Sequence, residues 1–162
     1  MNGNATKMRR GALACLGLAL AAGCAGVPRS AAAPEVELVG LAMVGATSER
    51  QRFALTFLLR NSNAEPVPVA EIGYRVRLAG QGYLTGRATE PLVLAGAGFR
   101  TVRVEVESDG VASASSLLAL AGGPDADTLA YELSGELVLG GRPPRVLPFA
   151  SAGDVTLAVP RD

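Results

Sequence analysis

Glu105 and Glu107 are the two residues of this 162-residue chain best spaced for acid–base chemistry. Thr101, Arg103, Glu105 and Glu107 alternate with Val102, Val104 and Val106, so on a strand both carboxylates leave from one face, beside Arg103. Paired carboxylates suit general acid–base work. So regular an alternation, however, marks a solvated charged face, and that reading is preferred. Asp125-Ala126-Asp127 offers oxygen ligands for calcium but lacks the remaining ligands and the glycine of a calcium loop; it reads as a polar loop, and no metal is expected. Ser113, Ser115 and Ser116 are nucleophile types with no base to activate them: the chain has no histidine, and Lys7 near the N-terminus is its one lysine. Gly80-Gln81-Gly82 and Gly96-Ala97-Gly98 have no following lysine or helix start, so they are turns rather than phosphate cradles. Asn61 and Asn63 flank a strand end, where asparagine bonds its own turn, and a structural role is expected of both. The expectation is a protein without catalytic residues or cofactor.

The N-terminus carries a different chemistry. Lys7, Arg9 and Arg10 precede an apolar run from Gly11 to Ala22, too short for the ~20 residues that cross a bilayer. Leu20-Ala21-Ala22-Gly23-Cys24 follows and resembles the lipobox of bacterial lipoproteins, with Ala21 where a larger aliphatic is usual. The resemblance implies a cleaved signal over residues 1–23 and lipid on Cys24 as the new N-terminus. The other cysteine, Cys15, lies inside the apolar run, so no disulfide is expected after cleavage. Ala25 after the cysteine, where aspartate would retain a lipoprotein at the inner membrane, implies the outer membrane, facing the periplasm.

The whole chain holds fifteen basic and fifteen acidic residues. Loss of Lys7, Arg9 and Arg10 leaves twelve basic against fifteen acidic, a mildly acidic product that argues against nucleic acid as a partner. The partners expected are the membrane, through Cys24, and client proteins or lipids.

These groups need a scaffold, and the chain predicts an all-β one. Residues 24–33 read as a tether and 34–160 as one domain. Strands are expected over Pro34–Val44, over the alternating Phe53, Leu55, Phe57 and Leu59, and around Tyr74 to Leu78. Others follow at Tyr83–Ala88, Thr101–Glu107, Leu129–Leu139, Val146–Phe149 and Val155–Val159. Ser108-Asp109 predicts a cap for one short helix over Val111–Ala121, stopped by Gly122-Gly123-Pro124. About seven strands and one helix suggest an antiparallel β-sandwich of the fibronectin III or immunoglobulin type.

The order of these features resembles the WHy domain (water stress and hypersensitive response) of the second group of late embryogenesis abundant proteins. Its carriers are Pro34-Glu35-Val36-Glu37-Leu38-Val39-Gly40-Leu41, the Phe-x-Leu strand into Asn61-Ser62-Asn63, and Pro66-Val67-Pro68-Val69. Tyr74 with the Gly80 turn and Gly86, Val102–Val106, Tyr131-Glu132-Leu133-Ser134-Gly135 and Leu147-Pro148-Phe149 before Gly153 complete the set. The family pattern has Asn-Pro-Asn where this chain has Asn61-Ser62-Asn63. The resemblance implies a fibronectin-like sandwich without cofactor or catalytic residues, and a role in tolerating desiccation or other stress. An alternative is a carrier of a lipid or other apolar ligand at the envelope, to which the 49% hydrophobic content lends some support.

Overall fold

A computed structural model describes residues 32–47, 50–108 and 128–158. The expected signal, Cys24 and most of the tether lie outside the described residues, as do the expected helix, its serines, and Asp125 and Asp127.

The described residues form eight strands and no helix: β1 (Glu35–Ala46), β2 (Gln51–Arg60), β3 (Val67–Leu78), β4 (Gln81–Ala88), β5 (Leu92–Leu94), β6 (Phe99–Ser108), β7 (Thr128–Leu139) and β8 (Arg145–Ala158). The all-β expectation holds. Period two decides which side chains turn inward. In β2, Phe53, Leu55, Phe57 and Leu59 are all fully buried. Tyr74, Val76 and Leu78 of β3 are buried too, with Leu129, Tyr131, Leu133, Leu137 and Leu139 of β7. At roughly 1.5–3 kcal/mol for each large side chain removed from water, this shared interior is the main source of stability. Phe57 and Tyr74 meet at its centre, ring centroids 5.0 Å apart and planes tilted by 53°.

The sandwich expectation needs correction. Two sheets are predicted, but the ladders run through one, in the order β4-β3-β7-β8-β1-β2-β6, with β5 pairing β3 beside β4. The sheet rolls until its outer strands, β4 and β6, approach each other, giving a nearly closed barrel. The seam that makes two halves one is β8. Thr128 to Leu139 of β7 pair antiparallel with Thr156 back to Arg145, and Leu157 and Ala158 then pair parallel with Leu41 and Ala42 of β1. All other pairs are antiparallel.

Two strands expected at Val146–Phe149 and Val155–Val159 are therefore a single strand of 14 residues. Its ladder with β7 continues unbroken through Gly153, which pairs with Tyr131 and whose missing Cβ would stand 3.2 Å from that ring. Pro148 is tolerated where β8 has a ladder on one side only. The two-residue turn Ala79-Gly80 joins β3 to β4, with φ of 46° and 72°, the left-handed pair that a tight hairpin demands.

Strand directions give the barrel two ends. β1, β3, β6 and β8 begin at the end called proximal here, and β2, β5 and β7 finish there. The proximal end thus carries Ala32, the 61–66 loop, the 95–98 turn and the 140–144 loop. The distal end carries the Ala79-Gly80 turn and the end of β8 at Ala158.

Candidate functional site

The proximal end is built on Asn61, the one polar side chain among the described residues that is fully buried, at 1% exposure. β2 ends at Arg60, which delivers Asn61 into the space between the 61–66 loop and the 95–98 turn. Its Nδ2 donates to the carbonyls of Glu65 at 2.9 Å and Ala95 at 3.0 Å. Its Oδ1 accepts from the backbone N–H of Asn63 at 3.0 Å and from Asn63 Nδ2 at 2.8 Å. The Asn61 N–H donates to the Gly98 carbonyl at 2.8 Å, and the Ala97 N–H to the Asn63 carbonyl at 2.7 Å. A buried amide with both ends satisfied stabilises; one left unpaired costs roughly 1–3 kcal/mol per orphaned group. Gly96 completes the node, since a Cβ there would collide with the Ala64 carbonyl. The structural role expected of both asparagines is what the geometry provides.

Asn63 extends the node to the incoming chain. Its Oδ1 accepts from the Ala32 N–H at 2.9 Å and its Nδ2 donates to the Ala32 carbonyl at 3.0 Å. One amide thereby grips both polar groups of a single residue, as a neighbouring strand would. The segment that leads back toward Cys24 leaves from this point.

Glu105 and Glu107 stand on the outer face of β6, opposite Ala54 and Arg52 of β2. Each reaches diagonally to an arginine: Glu107 to Arg50 at 3.3 Å, Glu105 to Arg52 at 4.0 Å. All four side chains are more than half exposed, so each pair contributes about 0–1 kcal/mol. Arg103 lies one rung further on, opposite Thr56. The structure brings these residues together as a solvated, charge-matched face. The same pattern recurs on the other half, where Arg77 meets Glu132 at 3.5 Å and Arg87 pairs with Glu71.

The glycine turns fall as follows. Gly80 is in the β3–β4 turn, while Gln81 and Gly82 already belong to β4. Gly96, Ala97 and Gly98 form the β5–β6 turn, with Ala97 at φ 50°. No phosphate cradle is built from either.

Sequence reasoning missed two features. The Tyr131 hydroxyl accepts from the buried Leu38 N–H at 3.3 Å, so β7 reaches across β8 to β1 where those two strands have no ladder. Inward parity makes Tyr131 a core residue, but nothing local says which strand its hydroxyl meets. The second is a set of exposed apolar side chains at the proximal end: Phe99 at 72%, Val93 at 57% and Val146 at 53%. They sit at alternate positions on the outer parity of their strands, a signal that the sequence does carry.

No protein-family model and no curated protein sequence matches the chain. Solved structures do. A solution structure of an Arabidopsis thaliana protein superposes with a TM-score of 0.55 at 19% identity, covering 82% of this chain and 87% of that one, and shares its fold. Two others are similar at lower scores. A protein described as late embryogenesis abundant has a TM-score of 0.43 at 17% identity, over 78% of this chain and 72% of its own. A protein from Archaeoglobus fulgidus has 0.44 at 16%, over 75% and 97%.

Proposed function

We propose that this chain is a non-enzymatic lipoprotein of the cell envelope, anchored through Cys24, whose WHy-type domain limits damage to neighbouring proteins or membranes during desiccation or other stress. The observation that carries the reading is where the polar chemistry goes. The buried amide of Asn61 holds turns together, and Glu105 and Glu107 face solvent against arginines. Side chains so placed serve architecture and solubility, which leaves the outer surface as the working part of the described domain. The ordered WHy-like motifs, set on an all-β fold also found in an Arabidopsis structure, support the family reading. The Leu-Ala-Ala-Gly-Cys sequence ending at Cys24 supports the anchor.

The test is direct. A labile soluble enzyme is dried and rehydrated with the protein or with an equal mass of an inert one. Activity retained only with this protein is the expected result. Equal losses in both samples would refute protection. Carriage of an apolar ligand has less support, because Phe53, Leu55, Phe57 and Leu59 fill the interior that a ligand would occupy.

A further inference from the structure

We propose that the proximal end of the barrel docks on the surface of a lipid bilayer, with Phe99, Val93 and Val146 entering the headgroup region. Four large apolar side chains of the described residues are strongly exposed, and three of them are these. Phe99 opens β6 opposite Arg60, Val93 lies on β5 opposite Pro68, and Val146 is the second residue of β8. They belong to three strands, yet all lie in the outermost rungs of one end. The fourth, Val39, lies further along β1.

Single exposed apolar residues are ordinary, but several gathered at one end of a barrel with polar groups around them fit a contact surface. Here the rim includes Arg100 beside Phe99 and Arg142 in the loop before Val146, both exposed. Apolar side chains flanked by arginine fit a bilayer interface, where aromatic rings sit at headgroup depth and guanidinium groups meet lipid phosphates.

The covering surface is identified by where the chain leaves. Ala32 is held at this same end by Asn63. Ala32 lies eight residue steps from Cys24, and extended chain spans at most ~3.6 Å per step, so the end lies within about 30 Å of an acyl group on that cysteine. This step rests on the anchor proposed above. A lipid at Cys24 presents the proximal end to the membrane, and the apolar side chains are the ones that face it.

The chain has no tryptophan, so Phe99→Trp supplies a single fluorescent reporter at the contact. Thr156→Trp, at an exposed position near the distal end, is the control. Each full-chain variant is purified from membranes and reconstituted in phosphatidylcholine–phosphatidylglycerol vesicles, with or without brominated acyl chains. Docking predicts a blue shift and bromolipid quenching for Phe99→Trp and neither for Thr156→Trp. Adding Val93→Ser and Val146→Ser should reduce the quenching. Emission from Phe99→Trp that bromolipid leaves unchanged would overturn the proposal. Shielding from iodide without bromolipid quenching would overturn it too, in favour of a protein partner or second copy. The mass of the N-terminal peptide separates the two ideas. Acylated Cys24 with no quenching removes docking and keeps the anchor, whereas quenching by added vesicles without acylation does the reverse.

Discussion

Asn61 illustrates how much one side chain can carry when both ends of its amide are used. Changing it to alanine orphans the Glu65 and Ala95 carbonyls and frees the Asn63 amide, at a cost of roughly 1–3 kcal/mol for each buried group left unpaired. Asn61→Asp should be worse than Asn61→Ala, because a carboxylate cannot donate to those carbonyls and its charge would be buried. Urea denaturation of the two variants checks the order. Tyr74 offers a test by pH. Burial raises the pKa of its hydroxyl above the ordinary value of 10.0, so the folded state keeps the proton that the unfolded chain gives up. That contribution to stability is complete below pH 10 and is lost as pH climbs from there through the folded pKa. Tyr74→Phe should flatten the alkaline fall, as read from melting temperature against pH. At this scale the sequence is legible in part. Asparagine at a strand end announces a turn, but the burial of Asn61 depends on a second turn, at 95–98, that no local pattern links to it.

The strands themselves are written plainly in the alternation, and β1, β2, β6 and β7 lie close to where period two puts them. β5 escaped because three residues hold too little pattern to register. The sequence predicts two strands in place of β8 because the stretch around Ser151-Ala152-Gly153 looks like punctuation; its continuity comes from the unbroken ladder with β7. Glycines on this half of the sheet differ in what they tolerate. A Cβ at Gly135 would run into the Gly73 carbonyl and the Phe149 ring, whereas at Gly153 it would meet only the Tyr131 ring edge at 3.2 Å. Gly135→Ala should therefore pry β3 from β7 and destabilise far more than Gly153→Ala, a difference that parallel thermal melts would show. The β3–β4 turn permits a gain. Ala79 adopts φ 46° without the advantages of asparagine or glycine, so Ala79→Asn, giving the favoured Asn-Gly hairpin, should add about 0.5–2 kcal/mol.

Across the whole molecule, sheet connectivity leaves the faintest trace in the sequence. Alternation says that each strand has an inside and an outside, and two packed sheets satisfy that as well as one rolled sheet does. The difference lies in two rungs, Leu41 with Leu157 and Ala42 with Ala158, and in the Tyr131 hydroxyl that meets the Leu38 amide. Tyr131→Phe keeps the packing and removes that contact. It should cost about 0.5–1.5 kcal/mol and speed hydrogen exchange at Leu38 more than at the β2–β6 ladder. The outward set of Phe99, Val93 and Val146 was visible as parity in the sequence; that they gather at one end was not, because it takes three strands from distant stretches to assemble it.

The seam between β1 and β8 also imposes an order in time. A polypeptide is made from its N-terminus, so Leu41 is available more than a hundred residues before its partner Leu157. β1 can zip to β2 as soon as both exist, but its other edge must wait for β8. Barrel closure is then a late, long-range event, the kind that folds slowly. Until β8 arrives, that flank of β1 has no ladder to cover it.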